Sequence, residues 1–410
     1  MTARRIAVVG GGAAGVFAAV AAAENQPDAR VTVFEASEEP LEKVRISGGG
    51  RCNVTHHCFD PAALVANYPR GGRELRGPFS RFQPRDTVTW FERRGVALKA
   101  EADGRMFPVT DTSKTITDCL LDSAMHAGVD LRLRARVGSV AVDPTSGRFI
   151  ISLHDQSDES ADRVLIATGS GPQGYRFARE LGHTIVPCVP SLFTFKIDDP
   201  RIAALAGISF AQVDTELQAG EHTLKQSGPL LITHWGMSGP AILKLSAWGA
   251  RLLHDHRYRA RLRVNFLPGR SPVEVYQSLV ECRNEHGKRR VQTHNPFGVP
   301  RRYWQMLVAH TGTPDTTTFS ELSRPAMDLL IEELTRAEFE VRGKGIYKEE
   351  FVTCGGVDLR EIDFRTMQSR LVPGLYFAGE VLDIDGVTGG FNFQSAWTTG
   401  WIAGEAMVRS

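Results

Sequence analysis

The chain has 410 residues, more than one hydrophobic core usually organises, so we expect two or three domains. Hydrophobic residues make up 42% of it and charged residues 23%, as is ordinary for a soluble globular protein. The formal net charge of +1 excludes a strong overall field that would draw the chain to nucleic acid or to an anionic membrane.

The cysteines and the N-terminus favour a cytoplasmic protein. Six cysteines are scattered along the chain without a CxxC pair, which suits reduced thiols. The first strand pattern begins at Ile6, which leaves no room for a signal peptide. The sequence contains no run of about 18 apolar residues, the length that would predict a membrane span, so we expect no membrane partner.

The N-terminal segment carries the most informative pattern. A short apolar strand pattern is followed by an Ala-rich helix pattern from about Ala13 to Glu24 and by a second strand pattern. The motif Gly10-x-Gly12-x-x-Gly15 lies between the first strand and the helix, and Glu35 ends the second strand. This is a βαβ unit with a dinucleotide-binding fingerprint in its required context, whereas a glycine-rich turn in an unrelated α/β protein would need neither second strand nor acid.

Each residue of this fingerprint has a physical role. Gly10 permits a tight turn, Gly12 lets the backbone approach a pyrophosphate, and Gly15 lets helix and strand pack closely. The start of the helix offers free N–H groups and a partial positive charge to the phosphates. Glu35 is placed to accept hydrogen bonds from a ribose diol.

A second glycine-rich segment follows at residues 43–55. Three consecutive glycines, 48–50, exclude a regular element there. Lys43, Arg51 and Asn53 flank them and supply hydrogen-bond donors. The segment predicts a loop that approaches an anionic or flat group closely, and a flexible surface loop is the alternative.

Residues 60–174 combine helical and strand patterns. Residues 60–126 predict mainly helices, and 129–143 with 147–155 predict antiparallel strands, with 154–162 as a hairpin loop. A buried strand then leads into residues 169–174, which repeat the GxGxxG spacing. No strand ending in an acid or an arginine follows about twenty residues later, so a second dinucleotide site is not favoured.

The texture changes at about residue 191, where short alternating strands begin. Helical patterns follow, including one over 324–341, and an α/β texture returns near the C-terminus. The chain therefore predicts a split nucleotide-binding domain, 1–190 and 346–410, with a β-rich insert at 191–270 and a helical subdomain at 271–345.

Three segments occur in an order that resembles a known fold. They are the GxGxxG motif with Glu35, VLIATG (164–169), and LYFAGE (375–380) followed by a glycine-opened helix. Together they resemble the FAD-binding domain of the glutathione-reductase-like flavoproteins. The resemblance implies an α/β fold, with a split Rossmann-like FAD-binding domain of glutathione-reductase type and an inserted β-rich plus helical lobe.

Four further segments narrow the resemblance. They are ISGGGRCNVT (46–55), ITHWGMSGPAIL (232–243), TCGGVDLREID (353–363) and the stretch 374–406. They resemble the bacterial NAD(P)/FAD-dependent oxidoreductases, also known as aminoacetone oxidase family FAD-binding enzymes, which include a bile-acid dehydro-reductase of gut bacteria. This family implies the cofactor and the fold far better than the substrate.

The resemblance also implies positions for FAD. Glu380 stands where related folds more usually have Asp and would hold the ribityl or phosphate region. The helix that Gly389 opens would point its N-terminus at the flavin pyrimidine edge and stabilise negative charge on the reduced ring. Val137 lies on a strand that resembles the adenine-contacting strand of related folds. The expected cofactor-binding residues are Gly10, Gly12, Ala13, Ala14, Gly15, Glu35, Lys43, Gly49, Gly50, Arg51, Cys52, Asn53, Val137, Ala167, Thr168, Gly169, Gly379, Glu380, Asp383, Gly389, Gly390, Phe391 and Asn392.

Two residues are candidates for catalysis. Cys52 is either a redox thiol beside the flavin or a small buried or loop cysteine. His234 lies in a glycine-rich turn and is either a general acid or a structural hydrogen-bonding residue. The Cys-x5-Cys spacing of Cys52 and Cys58, with two histidines between them, fits no common zinc pattern, so we expect no metal.

These observations predict an FAD-dependent oxidoreductase that acts on a small organic substrate, with NAD(P)H as a transient electron donor. An oxidase that uses O2 and a flavoprotein that binds or senses without turnover are alternatives. An FAD-dependent RNA-modifying enzyme is another, and the overall charge argues against it. Its basic and aromatic candidates, which could equally form a solvated helix face, are Arg283, Lys288, Arg289, Arg290, Arg301, Arg302, Tyr303 and Trp304.

Overall fold

The structure, a computed structural model, describes residues 3–345 and 352–409. Its strands are β1 (Arg5–Val9), β2 (Arg30–Phe34), β3 (Thr55–His56), β4 (Leu98–Ala100), β5 (Arg105–Pro108), β6 (Asp130–Arg132), β7 (Val137–Val142), β8 (Phe149–Leu153), β9 (Asp158–Ala161), β10 (Arg163–Ile166), β11 (Ile185–Ser191), β12 (Phe195–Ile197), β13 (Ser209–Ala219), β14 (His222–Thr233), β15 (Gly236–Ser238), β16 (Ala260–Asn265), β17 (Ala337–Lys344), β18 (Val352–Val357), β19 (Ile362–Asp363), β20 (Gln368–Ser369) and β21 (Leu375–Phe377).

The helices alternate with these strands along the chain. They are α1 (Ala13–Asn25), α2 (Glu42–Gly50), α3 (Pro61–Val65), α4 (Gly72–Arg81), α5 (Pro84–Glu92), α6 (Ser113–His126), α7 (Pro172–Glu180), α8 (Pro200–Ala203), α9 (Pro240–Trp248), α10 (Ala250–Asp255), α11 (Pro272–His286), α12 (Arg301–His310), α13 (Arg324–Thr335) and α14 (Phe391–Val408). Among the residues that the structure describes, no helix is both long enough and apolar enough to span a membrane.

The chain divides into two compact units. The first takes residues 1–189 and 352–410, and the second takes residues 190–351. The sequence analysis placed the return to the first domain at residue 346, and residues 346–351 lie outside the described residues.

A seven-stranded sheet organises the first unit, in the order β19-β20-β21-β10-β1-β2-β6. The five strands from β21 to β6 are parallel, as strands joined by crossover helices must be. Their carboxyl ends therefore lie along one edge, where α/β sheets bind ligands. The motif residues that follow β1, β2, β10 and β21 all emerge at this edge.

Helices α1 and α14 pack directly against each other. A Cβ at Gly400 would lie 2.6 Å from the Ala14 carbonyl oxygen, and one at Gly404 would lie 2.4 Å from that of Ala18. Because the contact positions advance by four residues along both helices, from Ala14 to Ala18 and from Gly400 to Gly404, the two helices run in the same direction. Helix α14 begins eight residues before the position opposite Ala13, so its N-terminus extends about 12 Å beyond that of α1.

Two predicted details of the first unit are wrong. The segment 154–162 is not only a hairpin loop, because 158–161 forms β9 and completes the antiparallel sheet β7-β8-β9. Residues 130–132 do not join that sheet, because β6 pairs in parallel with β2. Short strands of three or four residues carry too little periodic pattern to reveal their partners.

The second unit is built on a closed barrel, in the order β12-β15-β14-β13-β16-β17. Buried residues of the barrel and of helices α11, α12 and α13 belong to one hydrophobic core. The prediction of a helix through residue 341 is wrong, because β17 covers 337–344 and closes the barrel. Its buried Ala337, Phe339 and Val341 alternate with exposed Glu338 and Glu340, as residues of a strand do. This two-residue alternation was not recognised because it directly follows the helical pattern of α13.

Candidate functional site

The glycine motif forms a tight turn between β1 and α1. Gly10 has a φ of +110°, and a Cβ there would lie 2.5 Å from the Ala167 carbonyl oxygen. A Cβ at Gly15 would lie 1.9 Å from the Gly10 carbonyl oxygen, so both positions require glycine. Gly12 is the N-cap of α1, no side chain caps the helix, and nothing lies within 4 Å of a Cβ placed there. The turn therefore offers an anion both space and backbone donors.

Glu35 lies beside this turn at the end of β2. One carboxylate oxygen accepts the Gly11 N–H at 2.7 Å. The other accepts the Ser37 N–H at 2.7 Å and the Ser37 hydroxyl at 2.8 Å. The carboxylate is half-buried and stays beside the glycine turn, as an acid that binds a ribose next to a pyrophosphate must.

The triple-glycine segment is a turn, although its first residues are helical. Ser47 is extended, and Gly48 and Gly49 are left-handed. Gly48 is constrained by packing, because a Cβ there would lie 2.9 Å from the Phe107 ring. Gly49 and Gly50 have nothing within 4 Å of a Cβ, so they present bare backbone to open space.

Asn53 joins this turn to the start of α14. In the amide orientation that satisfies both neighbours, its oxygen accepts the Gly390 N–H at 2.9 Å and its nitrogen donates to the Thr55 carbonyl at 3.1 Å. Asn392 binds the Gly386 backbone through both amide atoms at 2.9 Å. The structure therefore brings the two predicted flavin-contacting segments together, with both asparagine side chains engaged by the backbone.

Arg51 has protein partners of its own. Its guanidinium donates to Glu101 at 2.7 Å, lies 3.6 Å from Asp111, and stacks on the Phe107 ring at 4.0 Å. The hydrogen bond to Glu101 raises the pKa of Arg51. The expectation that Arg51 contacts a phosphate or a substrate stays a prediction.

Lys43 and Glu380 form a polar cluster in the same unit. The Lys43 ammonium donates to Glu380 at 2.5 Å and to the Ser170 hydroxyl at 3.1 Å, and Glu380 also accepts the Thr353 N–H at 3.0 Å. Gly379 precedes Glu380 with a φ of +74°. The segments after β10 and β21 thus meet at the start of α2.

The second GxGxxG has a packing role. A Cβ at Gly174 would lie 1.8 Å from the Thr168 hydroxyl oxygen, so this glycine lets α7 approach the end of β10. Within the described residues that hydroxyl is buried and has no hydrogen-bond partner. Ala167 donates its N–H to the Val9 carbonyl at 2.9 Å, and Gly169 is left-handed, with a φ of +62°. The segment follows a strand of the sheet that carries the first motif.

The acidic residues near α14 serve the loop that leads to it. Asp385 is fully buried and forms a two-point ion pair with Arg70. Asp383 donates its N–H to the Val357 carbonyl at 3.1 Å. Phe391 is buried, and its carbonyl accepts the Tyr68 hydroxyl at 2.6 Å. These bonds fix the path of the chain into α14.

His56 is a residue that the sequence analysis missed as part of the site. Its ring stacks on Phe391 with centroids 4.6 Å apart, and its Nε2 lies 3.2 Å from the Asp103 carbonyl oxygen. A Cβ at Gly389 would lie 3.3 Å from the ring, and one at Gly104 would lie 2.4 Å from it. The imidazole is therefore held at the N-terminus of α14. Its position three residues after Asn53 was the available signal.

The environment of Cys52 does not support a redox role. Cys52 is fully buried, and burial raises the pKa of its thiol to about 12. A thiol with such a pKa carries almost no reactive thiolate at neutral pH. The alternative interpretation, a buried structural cysteine, fits the structure.

His234 and Val137 are two further residues that the sequence analysis singled out. His234 is exposed between β14 and β15, in the second unit rather than in the unit of the glycine motif. Val137 is buried at the start of β7. Ala135, just before it, donates its N–H to the Glu35 carbonyl at 2.8 Å, so the adenine contact proposed for this strand stays a prediction.

The basic and aromatic region of the second unit is only partly surface. Tyr303 and Trp304 are buried, with 1% and 0% of their surface exposed, so they belong neither to an exposed basic and aromatic region nor to a solvated helix face. They fill the core beneath α12. Arg283 donates to the carbonyls of Phe319 and Leu322 and is half-buried. In the described part of the chain, no group of three or more His, Cys, Asp or Glu side chains is arranged to hold a metal ion.

The clusters of the first unit fit an FAD. The uncapped start of α1 suits the pyrophosphate, and the start of α14, about 12 Å further along, suits the flavin ring. The five-carbon ribityl chain of FAD joins two such groups. Glu35, the buried Thr168 hydroxyl and the bare turn at Gly49 and Gly50 add polar partners and space.

A parallel sheet with this glycine turn and a second uncapped helix defines an α/β flavoprotein of the Rossmann type. The profile of the HI0933-like protein Rossmann domain matches residues 4–406, and the chain belongs to that family. This membership and the fold confirm the predicted family, fold class and cofactor. The protein is an FAD-dependent oxidoreductase.

Relatives match over nearly the whole chain. A ribosomal RNA dihydrouridine synthase of Escherichia coli is 31% identical over 98% of this chain and 97% of its own. A 3-dehydro-bile acid delta(4,6)-reductase of Clostridium scindens is 29% identical over 98% of each. The solved 3-ketosteroid-delta4-(5alpha)-dehydrogenase of Rhodococcus jostii shares the fold, with a TM-score of 0.52, 14% identity and coverage of 99% of this chain and 97% of that one.

Proposed function

We propose that this protein saturates a carbon–carbon double bond that is conjugated to a carbonyl group. The observation that carries the proposal is that two relatives matching the full chain are named for this one chemistry on different molecules. Dihydrouridine is uridine whose ring double bond has been saturated beside a carbonyl. A delta(4,6)-reductase of a 3-dehydro steroid acts on double bonds conjugated to a ketone.

Bound FAD supplies a two-electron hydride donor for this reaction. The β-carbon of the double bond receives the hydride and the α-carbon receives a proton, so the substrate gains two electrons and two hydrogens. NAD(P)H then supplies the hydride, and with it the two electrons, that the next turnover consumes. The described residues contain one parallel sheet, which favours a nicotinamide that visits the flavin transiently instead of occupying a domain of its own.

The first unit would hold the cofactor. The start of α1 binds the pyrophosphate, and Glu35 binds the adenosine ribose. The pair of Lys43 and Glu380 lies at the carboxyl edge of the sheet and holds the middle of the cofactor. The start of α14, with His56 beside it, stabilises negative charge on the reduced ring.

Two classes of substrate are candidates for this reaction. A small organic enone is the substrate that the sequence analysis favoured, and the Clostridium scindens relative supports it. His234, exposed in the second unit, stays a candidate proton donor for such a substrate. A uridine in ribosomal RNA is the second candidate, supported by the Escherichia coli relative and by a Haemophilus influenzae one that is 27% identical.

One anaerobic experiment tests the reaction class. The purified holoenzyme is bleached with NADPH or NADH, and a cyclic enone or a uridine-containing ribosomal RNA is then added. Return of the flavin absorbance, with a product two mass units heavier, is the expected result. A flavin that neither the enone nor the RNA reoxidises, and that regains its absorbance only when O2 is then admitted, would mean an oxidase. A flavin that neither nucleotide reduces would remove NAD(P)H as the donor.

A further inference from the structure

Three consecutive cations follow helix α11 in the second unit. Lys288, Arg289 and Arg290 are exposed, and no carboxylate among the described residues forms an ion pair with any of them. Among the described residues, the Arg289 side chain approaches His294, with 3.3 Å between their nitrogens. Burial and the neighbouring Arg289 and His286 lower the pKa of His294.

Several other arginines of this unit are neutralised by neighbouring carboxylates. Arg324 pairs with Asp328 at 3.0 Å, Arg336 pairs with Glu332, and Arg342 pairs with Glu340 at 3.2 Å. Arg263 likewise bonds Glu338 at 2.7 Å and Glu216 at 3.3 Å. Exposed Arg257, Arg259 and Arg270 also form no ion pair within the described residues, but they are not consecutive. Lys288, Arg289 and Arg290 place three unpaired charges side by side in one loop, which the near-zero net charge of the chain does not reveal.

The backbone of this loop is pinned in place. The carbonyls of Gly287 and Arg289 accept the N–H groups of Ser320 and Phe319, at 3.0 and 3.1 Å. Val291 donates its N–H to the Thr317 carbonyl at 3.0 Å. Because its backbone is already ordered, the loop loses little further backbone entropy when its side chains bind a common partner.

A fourth cation lies on the helix bonded to this loop. The Val291 carbonyl accepts the indole N–H of Trp304 at 2.7 Å, which fixes α12 against the loop. Arg301 lies one helical turn before Trp304, is exposed, and has no ion pair within the described residues. Glu321 follows Ser320, and its carboxylate accepts the N–H and the hydroxyl of Thr318 at 2.9 and 2.8 Å.

We infer that Lys288, Arg289, Arg290 and Arg301 form a surface that binds the phosphates of single-stranded RNA. We call these four residues the basic loop surface. Exposed cations without carboxylate partners release counterions when they meet a chain of phosphates, which is the source of most nonspecific RNA affinity. This inference rests on the proposed function, and it assigns an RNA substrate to the same enzyme. It leaves base recognition to other residues, because Tyr303 and Trp304 are buried.

The test compares two triple variants of the holoenzyme with equal net charge. The first carries Lys288→Gln, Arg289→Gln and Arg290→Gln, and the control carries Arg324→Gln, Arg336→Gln and Arg342→Gln in the ion-paired set. The affinity for a uridine-rich RNA oligonucleotide is measured against salt concentration. We expect the salt slope of the first variant to fall by about 2, since each phosphate contact on a single strand contributes roughly 0.7. Its affinity at about 0.1 M salt should fall about a hundredfold, and the control should bind as the wild type does.

Several outcomes would overturn the inference. They are equal losses in both variants, an unchanged slope in the first variant, no RNA binding by the wild type, or a loss that appears with anionic lipid vesicles and not with RNA. Reduction of a small enone is measured in the same proteins. RNA binding that depends on the loop while the enzyme reduces no conjugated double bond would refute the proposed reaction and leave this surface standing.

Discussion

Glu35 accepts three hydrogen bonds from the groups around the glycine turn, so its carboxylate both shapes that turn and lies ready for a ribose. In Glu35→Gln the amide NH2 would face an N–H donor, and the charge would be lost. We expect FAD binding to weaken by about 1–3 kcal/mol, the range for a hydrogen bond to a charged group. Fluorescence titration of the apoprotein measures this.

The control for this variant is Glu38→Gln. Glu38 is an exposed neighbour that pairs with Arg134 at 2.8 Å, so its loss should leave FAD affinity unchanged. Wild-type affinity in Glu35→Gln would remove the ribose assignment.

His56 and His57 are adjacent and differ in environment. His56 stacks on Phe391 at the start of α14, whereas His57 is exposed and meets only the Phe59 ring among aromatic groups of the described residues. A histidine beside the reduced flavin stabilises its negative charge, so we expect His56→Gln to make the flavin midpoint potential more negative. His57→Gln should leave the potential unchanged. Spectroelectrochemistry measures both, and identical potentials would place His56 outside the flavin environment.

Cys52 and Tyr303 show why single residues were harder to predict than motifs. Both side chains are chemically capable of the roles considered for them, and burial decides against those roles. Burial depends on what packs over a residue, and local sequence does not contain that information.

The triple-glycine turn is the element that tests the cofactor position most directly. Gly50 has a φ of +83° and nothing within 4 Å of a Cβ. We expect Gly50→Val to lower flavin occupancy, because its side chain would enter the open space beside the turn. The absorbance ratio of flavin to protein in the purified variant measures occupancy.

Strain at a left-handed residue must be separated from this effect. Gly95 has a φ of +79°, is exposed, and likewise has nothing within 4 Å of a Cβ. Gly95→Val therefore carries a similar backbone penalty of about 1 kcal/mol at a distant turn. Equal flavin occupancy in the two valine variants would move the triple-glycine turn away from the cofactor.

At the scale of the whole molecule, a buried histidine joins distant parts of the first unit. His183 bonds Glu361 through Nδ1 at 2.9 Å and Ser369 through Nε2 at 2.9 Å. The Ser369 hydroxyl oxygen also accepts two backbone N–H groups, at 3.0 and 2.8 Å, so its proton points to His183. The three residues resemble a nucleophile, base and acid, but the hydroxyl is buried and its lone pairs are occupied.

This cluster predicts a pH dependence of stability. Burial lowers the pKa of His183 below its ordinary value of 6.5, so the unfolded chain binds a proton more readily than the folded one. The free energy of unfolding should therefore fall as the pH drops below about 6.5, and it should be insensitive to this group above that value. Urea unfolding across pH 5 to 8 measures it, at about unit steps of pH.

His183→Asn should be less stable at neutral pH and should lose this part of the pH dependence. His57→Gln should keep the wild-type profile, because His57 is exposed. A His183→Asn profile parallel to that of the wild type would assign the pH dependence to other groups.

The sequence alone determined the cofactor class and the nucleotide-binding half of the fold. The glycine motif, Glu35 and the segments before residues 169 and 380 could be interpreted because their constraints are local: a turn, a helix start and a strand end need particular residues at fixed spacing. The barrel strand at 337–344 was missed because it gains its partners from strands far away in the chain.

Only the tertiary structure decided which residues lie together. Asn53 meets Gly390, Lys43 meets Glu380, and His56 meets Phe391, over separations of more than 300 residues. The tertiary structure also distinguished the ion-paired arginines from the unpaired cations at 288–290, which contribute equally to a net charge computed from composition. Packing and long-range pairing set burial and charge neutralisation, and these two quantities distinguish a functional side chain from a structural one of the same type.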